Sequence, residues 1–304
     1  MTRRVRFILR QACALCAAAL VSTAGLADPF RDGTLDRIRE RGAMLLGHRE
    51  SSVPFSYYNR RGEVVGYSHE LALRVVDSVR QQLNQPQLAL RLVPITSQNR
   101  FEQIAGGAID LECGSTTHNS ERARQVGFSN SIFIIGTRLL TRHDSGIHDF
   151  PDLAGRRVIT TAGTTSEILM RRMNEERQWR MTIVTAADHA ESFQALAAGR
   201  AEAFMLDDAL LYGEQAKADN PGLWRVTGTP QSFEAYACMM KHGDRDFKRL
   251  VDETLARFML SGEAERLYRK WFMSPLPDTG LNLDFPLSDS MKALFWVPND
   301  KPFQ

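Results

Sequence analysis

The chain has 304 residues, 43% of them hydrophobic, with 38 lysines and arginines against 36 aspartates and glutamates. That length allows one large domain or two lobes, and the composition provides ample material for packed cores. The balanced charge gives no support to nucleic-acid binding, which needs a clustered basic surface. No run after the N-terminal segment is long and apolar enough to cross a bilayer.

The N-terminal segment, residues 1–27, is typical of a secretory signal peptide. A basic region with four arginines precedes an apolar, alanine-rich stretch over about residues 12–20, and small residues lead to a cleavage site after Ala27. Cleavage leaves 34 basic and 36 acidic residues, a formal net charge of −2, and predicts a periplasmic protein. An N-terminal membrane anchor and, from Arg3 and Arg4, twin-arginine export are the alternatives.

Short β-rich runs alternate with amphipathic helical stretches along the first half of the mature chain. Strands are predicted over residues 44–46, 64–67, 88–93 and 108–113, and helices over residues 68–83 and 101–106. The longer helix begins at Ser68, whose hydroxyl can cap it, and its apolar residues recur every four positions. This βαβ succession predicts a largely parallel sheet flanked by helices.

The second half begins with a similar unit and ends in helices. Strands are predicted over residues 157–160, 181–184 and 203–206, and helices over residues 164–173, 192–198 and 209–218. Apolar residues at helical spacing predict two more helices, over residues 247–259 and 264–272, whose aromatic side chains are expected in the core. Phe295 and Trp296 are expected to pack the tail against the fold.

Two βαβ units joined by two crossing strands predict an α/β fold with two lobes, each a mostly parallel sheet flanked by helices. Apolar runs at residues 132–140 and 235–239 would form the hinge strands. Lobe 1 then comprises residues 28–137 with 235–304, and lobe 2 comprises residues 138–234. Because small-molecule sites are common between domains, we expect the ligand cleft between the lobes.

Two cysteines, Cys113 and Cys238, remain after the signal peptide is removed. An even pair in an oxidising compartment predicts a disulfide, and two buried free thiols are the alternative. In the chain-entropy model, a disulfide that closes so long a loop stabilises the fold by roughly 4–5 kcal/mol, less any strain.

Three arginines lie in short polar loops, each after a predicted strand. They are Arg49, Arg100 and Arg122. Ligands of open α/β sheets bind outside the carboxyl ends of the strands, and a guanidinium group there can hold a carboxylate through paired hydrogen bonds. Three such groups predict a ligand with more than one negative group.

Ser/Thr-rich loops precede predicted helices at corresponding places in the two units. Ser115 and Thr117 lead into a helix predicted to begin near Asn119, with Arg122 in its first turn, and Thr165 lies at the start of the matching helix. Free N–H groups at a helix start attract anions, so each place suits a carboxylate. Ordinary helix capping, with Arg122 as a surface residue, is the alternative.

Acidic and imidazole side chains complete the candidate set. Asp207 ends a strand and can hold an ammonium group, whereas Asp208 is its rival and can instead cap the next helix. His189 lies between a strand and a helix and can donate a hydrogen bond to a ligand, although a lone loop histidine is more often merely solvated. The histidines show no metal-ligand spacing, and we expect neither a metal nor a cofactor.

Five stretches carry a resemblance to a known family. They are GHRESSVPFSYY at 47–58, PITSQNR at 94–100, ECGSTT at 112–117, GTTSE at 163–167 and AFMLDDALL at 203–211. On these stretches the chain resembles bacterial periplasmic solute-binding proteins for polar amino acids, which have the type II clamp fold. The similarity extends over about residues 34–301 and is greatest to members that bind glutamate and aspartate for ABC importers.

The resemblance implies a role for each candidate residue. The α-carboxylate of the ligand would be held by Arg122, Thr117 and Thr165, the α-amino group by Asp207 and Ser115, and the side-chain carboxylate by Arg49, Ser97, Arg100 and His189. A neutral amino acid would not need the third arginine. L-glutamate or L-aspartate is therefore the expected ligand, an inner-membrane ABC permease the expected partner, and a monomer the expected state.

Two other functions fit parts of the pattern. A periplasmic enzyme on the same fold, such as a dehydratase of carboxylated rings, would use Glu112 as its acid–base group, although no partner for Glu112 is evident. The sensor of a signalling receptor is disfavoured, because no transmembrane or signalling segment follows before Gln304. The preferred interpretation is a binding protein without catalysis.

Overall fold

Strands and helices alternate along residues 33–276 and 279–302, the part of the chain that the computed structural model describes. The predicted signal peptide lies outside these residues. The strands are β1 Ala43–His48, β2 Ser51–Ser52, β3 Ser56–Tyr58, β4 Val64–Val65, β5 Ala89–Pro94, β6 Leu111–Glu112, β7 Gly127–Arg142, β8 Arg157–Thr161, β9 Thr182–Ala186, β10 Ala203–Asp207, β11 Trp224–Thr227 and β12 Phe233–Met240. The helices are α1 Thr34–Arg41, α2 Tyr67–Gln82, α3 Arg100–Ala105, α4 Thr165–Glu176, α5 His189–Ala197, α6 Asp208–Lys217, α7 Arg245–Leu260, α8 Glu263–Phe272 and α9 Asp289–Trp296.

One large sheet, with nine strands among the described residues, has the order β5-β1-β6-β12-β7-β10-β8-β9, and β11 also pairs with β7. β1 is parallel to β5 and β6, and β8 is parallel to β9 and β10. β12 is antiparallel to β6 and β7, and β7 is antiparallel to β10 and β11. The predicted parallel sheets are therefore the two outer parts, and the crossing strands add an antiparallel centre.

The crossing strands β7 and β12 contain both predicted hinge runs. β7 pairs with β12 as far as Gly136, opposite Phe233, and with β10 from Thr137, opposite Asp207. The partner of β7 thus changes where the sequence places the boundary between the lobes. The lobe boundaries themselves stay a prediction, and this change of partner favours them.

Strand direction brings the candidate loops together. β1 ends just before Arg49, and the chain after β5 enters α3, which begins with Arg100. β8 and β9 lead into α4 and α5, which begin with Thr165 and His189, and Asp207 is the last residue of β10. Because parallel strands end at the same edge of a sheet, each group of loops converges there.

Aromatic side chains pack around Phe133 of β7 at the centre of the core. Its ring stacks on Phe272 and Tyr268, with centroids 4.7 and 5.6 Å away, and meets Phe55 and Tyr67 edge-on at 4.9 and 5.6 Å. All five residues are buried. The aromatics of α8 are thus core residues, as predicted, and they hold the C-terminal helices against β7.

The C-terminal helix α9 corrects one expectation. Phe295 is 6% exposed, but Trp296 is 81% exposed, so only Phe295 packs the tail down. Adjacent residues of a helix point about 100° apart, because a turn holds about 3.6 residues. Among the described residues, no helix is long and apolar enough to span a bilayer.

A disulfide joins Cys113 to Cys238 across 125 residues of sequence, which confirms the predicted pairing. Cys113 follows β6 directly, and Cys238 lies within β12. The bond therefore fixes the start of the Ser115–Thr117 loop to the crossing strand whose other residues reach the candidate site.

The start of α2 differs from the prediction. Gly66, and not Ser68, precedes the first helical residue, and it makes no side-chain cap. The hydroxyl of Ser68 instead donates to the carbonyl of Gly114 at 2.8 Å. Gly66 has a φ of +135°, and a Cβ on it would lie 2.3 Å from the carbonyl oxygen of Phe55. This close approach requires glycine, and the residue that precedes the helix lies two positions earlier than predicted.

Candidate functional site

A small cavity lies between the loops at the two outer parts of the sheet. Its walls are formed by Ser97, Arg100, Ser115, Thr117, Thr164, Thr165, His189, Leu206, Asp207 and Leu210. Seven of the nine predicted ligand-binding residues are in this set. The other two, Arg49 and Arg122, are close enough to Arg100 for its charge to lower the pKa of each.

Arg49 is a buried cation that makes no hydrogen-bonded ion pair with any residue that the structure describes. Its side chain is 1% exposed, and both terminal nitrogens, Nη1 and Nη2, are buried with no hydrogen-bond partner among the described residues. Burial, and then repulsion from Arg100, lowers the pKa of Arg49 to about 10, so the group is charged at neutral pH. Burying an unpaired charge is unfavourable, and an anion at Nη1 and Nη2 would relieve it.

Arg100 is held by its neighbours and still has a free donor. Its Nη1 donates to Thr116 Oγ1 at 2.6 Å and to the Ser115 carbonyl at 3.4 Å, whereas its Nε is buried and unpaired among the described residues. Thr116 Oγ1 donates in turn to Glu112 Oε2 at 2.9 Å. Burial raises the pKa of Glu112, and the positive charge of Arg100 opposes that rise. Glu112 therefore orients Arg100 through Thr116.

Arg122 lies in a tight turn, and the predicted helix near Asn119 is wrong. Only Arg122–Arg124 are helical, in a single 3₁₀ turn, and Asn119 Oδ1 accepts from the Arg122 N–H at 2.9 Å. Asparagine side chains compete in this way with continued helical hydrogen bonding. No helix start is available there to bind an anion, so that expectation is withdrawn.

The side chain of Arg122 is nevertheless buried, at 8% exposure, and is not the surface residue of the alternative. Its Nη1 donates to the Thr117 carbonyl at 3.1 Å, and its Nη2 donates to the Gly163 carbonyl at 3.4 Å. Burial, and then repulsion from Arg100, lowers the pKa of Arg122 to about 10. The guanidinium thus bridges the two Ser/Thr-rich loops.

The loop before α4 is arranged for close contact with the opposite loop. Gly163 has a φ of +77°, and a Cβ there would lie 2.9 Å from the Ser97 carbonyl oxygen. Thr164 caps α4 by accepting from the Glu167 N–H at 3.1 Å. Thr164 thus has the capping role that the sequence left open, which leaves Thr165 to face the cavity.

Asp207 is a buried carboxylate with several donors. Its Oδ2 accepts from the Tyr236 hydroxyl, and its Oδ1 accepts from Ser166 at 3.2 Å and Thr137 at 3.4 Å. Burial, and then repulsion from Glu234, raises the pKa of Asp207 well above its ordinary value. A cation beside it would be favourable, because it would oppose both effects.

Asp208, its rival, accepts from the Ala209 N–H at 2.8 Å in the first turn of α6. Burial raises the pKa of Asp208 to about 6. Asp208 therefore has a local structural role, and Asp207 is the acidic residue of the cavity wall.

A second carboxylate, that of Glu234, meets the two predicted threonines. Glu234 Oε2 accepts from the Thr117 hydroxyl and from the Thr165 hydroxyl, the latter at 2.7 Å, and its Oε1 accepts from Ser232 at 3.2 Å. Each threonine hydroxyl has a single hydrogen. In this structure both threonines donate their hydrogen to Glu234, so a ligand carboxylate would have to replace Glu234 as the acceptor.

His189 is placed differently from the sequence prediction. It is the first residue of α5, capped by Asp188, and is 1% exposed. It is therefore not a solvated loop residue. Its Nδ1 contacts Thr161 Oγ1 at 2.8 Å, and its Nε2 is buried at the cavity with no hydrogen-bond partner among the described residues. Burial, and then the charges of Arg49 and Arg100, lowers the pKa of His189 well below its ordinary value.

Thr116, Glu234 and Tyr236 hydrogen-bond to the predicted site residues, but they were not predicted from the sequence. Glu234 and Tyr236 are two positions apart on β12, so their side chains point to the same face of the strand. The predicted run began at residue 235 and left out Glu234. Polar residues at alternate positions of an otherwise apolar strand were the available signal.

The rest of the described surface offers a weaker site. A groove runs beside α9, lined by residues such as Ile134, Leu294 and Val297. It is larger than the cavity, but it does not bring several charged side chains together. No group of three or more potential metal ligands occurs among the described residues.

Comparison with known proteins identifies the family. Residues 44–274 match the bacterial extracellular solute-binding proteins, family 3. The chain belongs to this family. It is 53% identical over 273 residues to the glutamate/aspartate import solute-binding protein of Salmonella typhimurium, with 90% of each chain covered. It is 51% identical over 285 residues to the L-glutamate/L-aspartate-binding protein of Pseudomonas aeruginosa, covering 93% of this chain and 94% of the relative.

The fold of this solute-binding protein has solved counterparts. A crystal structure of a mutant of ArgBP from T. maritima superposes with a TM-score of 0.70 at 26% identity, covering 79% of this chain and 100% of the other. The predicted α/β fold of the type II binding proteins is confirmed.

Proposed function

We propose that this solute-binding protein captures L-glutamate or L-aspartate in the cavity, works in the periplasm as a monomer, and delivers the amino acid to an ABC-type importer without catalysing a reaction. One observation carries the proposal. Six buried polar atoms without partners among the described residues belong to the cavity wall or to the neighbouring Arg49: Arg49 Nη1 and Nη2, Arg100 Nε, Ser97 Oγ, Ser115 Oγ and His189 Nε2. Buried polar groups are normally hydrogen-bonded, so this cluster fits a polar ligand.

The charges suggest how the ligand lies. Its side-chain carboxylate would be held by Arg49, Arg100, Ser97 and His189, its α-carboxylate by Arg122, Thr117 and Thr165, and its ammonium group by Asp207 and Ser115. Two carboxylates then face cations, and the ammonium group faces Asp207. The buried arginines lower one another's pKa values, and two ligand carboxylates would offset that repulsion in a cavity where screening is weak.

Closure around the ligand is part of the proposal. The cavity walls come from loops at both outer parts of the sheet, and Arg122 already bridges the Thr117 and Gly163 loops. A ligand that contacts both parts favours the closed form by its differential affinity for it. The importer would then recognise the closed, loaded protein.

The alternative of a periplasmic enzyme receives less support. Its acid–base group would be Glu112, and that carboxylate accepts from Thr116 beside the charge of Arg100. These contacts suit a residue that orients Arg100. Incubation with prephenate-like substrates should therefore yield no aromatic product, and a turnover that depends on Glu112 would favour the enzyme.

Calorimetric titration against a panel of ligands tests the proposal. We expect L-glutamate and L-aspartate to bind, L-arginine not to bind, and glutarate to bind much more weakly than glutamate because it has no ammonium group for Asp207. Arg124→Ala is a matched control, since this exposed residue lies two positions from Arg122 and its loss should leave the titrations unchanged. Absence of glutamate and aspartate binding to correctly folded protein would refute the proposal.

A further inference from the structure

The hydrogen-bond pattern around His189 points to a proton that enters the site with an acidic ligand. We infer that ligand-free His189 is neutral, with the lone pair of Nε2 directed into the cavity, and that a ligand carboxylate binds there together with a proton taken from solvent onto Nε2. This inference rests on the proposed function, and it adds a protonation step and a criterion that separates acids from their amides.

Two hydroxyl groups determine which ring nitrogen carries the hydrogen. Thr161 Oγ1 lies 2.8 Å from His189 Nδ1 and 3.0 Å from Ser192 Oγ. Ser192 Oγ donates to the Asp188 carbonyl at 2.8 Å, one turn back along α5. A hydroxyl has one hydrogen and two lone pairs, so the three contacts constrain one another.

One arrangement satisfies all three contacts. Ser192 uses its hydrogen on Asp188 and therefore accepts from Thr161. Thr161 has then used its own hydrogen and must accept from His189, so Nδ1 carries the hydrogen. The opposite arrangement, with Thr161 donating to Nδ1, leaves neither Thr161 nor Ser192 with a hydrogen for the contact between their hydroxyls, and that hydrogen bond is lost. The neutral ring therefore presents a bare Nε2 to the cavity.

The charges around the ring favour the same form. His189 faces Arg49 from the loop after β1, Arg100 from α3 and Lys217 from α6, and these charges add to burial in holding its pKa well below the ordinary value. Asp188 caps the same helix, and Asp207 lies in the same cavity wall. A lone pair directed at cations is favourable, whereas an N–H group directed at them is not.

A carboxylate ligand reverses this preference. Its oxygen cannot share a hydrogen bond with a bare Nε2, since both are acceptors. Transfer of one proton from solvent forms an N–H bond on Nε2 and an imidazolium ion, which can donate to the carboxylate. The negative charge of the ligand offsets the effect that the positive charges of Arg49 and Arg100 have on the ring. An amide such as that of L-glutamine can instead donate its own N–H to the neutral ring, and it needs no added proton.

Calorimetry in two buffers of different ionisation enthalpy tests the inference, because the heat difference reports the number of protons bound. Asp207 can release a proton when the ammonium group binds, so wild type is compared with His189→Gln, whose amide can donate without protonation. We expect wild type to take up about one proton more per glutamate than this variant. Between about pH 7 and about pH 8, the affinity of wild type for glutamate should also fall with each pH unit by a factor about tenfold larger than that of the variant. L-glutamine should show no such difference.

The controls separate the two proposals. His242→Gln removes an exposed histidine and should bind protons with glutamate as wild type does. Equal proton uptake by wild type and His189→Gln, with glutamate still bound, would overturn the inference and leave the proposed function standing. Failure of wild type to bind glutamate would refute the proposed function.

A spectroscopic measurement covers the case in which His189→Gln does not bind. Ring-nitrogen NMR shifts of wild-type His189, assigned by loss of the signal in the variant, should indicate a neutral ring protonated on Nδ1 without ligand. They should indicate an imidazolium with glutamate. A neutral ring in both states, or a ring protonated on Nε2 without ligand, would contradict the inference.

Discussion

The two sides of the cavity differ in how many of their polar atoms form hydrogen bonds within the protein itself. On the arginine side, formed by Arg49, Arg100 and Arg122, the terminal nitrogens of Arg49 and the Nε of Arg100 have no hydrogen-bond partner in the described part of the chain. On the carboxylate side, formed by Asp207 and Glu234, every carboxylate oxygen accepts a hydrogen bond. A ligand therefore adds more contacts on the arginine side, and we expect that side to supply affinity and the carboxylate side to select for amino acids.

The largest expected effect is that of Arg122→Ala. The variant loses the cation proposed for the α-carboxylate, and it also loses the bridge between the Thr117 and Gly163 carbonyls. Binding of glutamate and aspartate should both fall below detection in calorimetric titration, while Arg124→Ala binds as wild type does. Retained binding would place the α-carboxylate elsewhere. The arginine side would then not supply the affinity as we expect.

Arg100→Ala should weaken the binding of glutamate and aspartate by about 2–5 kcal/mol, the range for loss of one partner of a buried charge pair. Part of this effect comes from Glu112, which would lose its neighbouring positive charge. Arg100→Lys should recover only part of the affinity, since an ammonium group cannot form paired hydrogen bonds with a carboxylate. Full recovery by lysine would mean that charge alone acts there.

On the carboxylate side, Asp207→Asn should weaken glutamate binding by a smaller amount, about 1.5–3 kcal/mol, as expected for a hydrogen bond to a charged group. The same change should stabilise the ligand-free protein at neutral pH. The pKa of Asp207 is raised in the folded protein. Its protonated carboxyl therefore contributes fully to stability below the unfolded-state pKa of about 3.9. That contribution is lost as the pH rises through the folded-state pKa. Urea unfolding should therefore show a gain for the variant that grows as the pH rises above about 3.9.

Comparison of glutamate with aspartate should give the smallest effect. The ligands differ by one methylene, which is worth roughly 1–3 kcal/mol in a fitted pocket. The difference in length changes only how the side-chain carboxylate reaches Arg49 and Arg100. Glutarate should therefore bind more weakly than the weaker-binding of the two amino acids. The reverse order in a competition titration would show that the ammonium contact with Asp207 matters less than the fit.

Elements with strong local patterns were predictable from the sequence. The apolar stripe of α2 and the aromatics of α8 identified those helices, and the crossing runs in β7 and β12 were found from their apolar residues. The strands β2 and β3, of two and three residues, and the helix α1, which has only two buried residues, carry too short or too weak a pattern. The turn at Arg122 was missed because a side-chain contact from Asn119 overrides the helical signal.

The site was predictable where its residues lie in loops after strands, and less so where distant segments meet. Glu234 contacts Thr117 although the two residues are 117 positions apart in the sequence, and no local sequence pattern predicts that contact. His189 was predicted and lies in the cavity wall, but its burial depends on packing around α5. Its protonation depends on Thr161 and Ser192, whose hydrogen-bond partners only the folded structure brings together.

The most direct test of the account is a crystal structure of the protein with L-glutamate bound. We expect one ligand carboxylate within hydrogen-bond distance of Arg49 Nη1 or Nη2 and of Arg100, the other carboxylate at Arg122, and the ammonium group at Asp207. A ligand bound outside this cavity, or one that leaves both terminal nitrogens of Arg49 unpaired, would contradict the account.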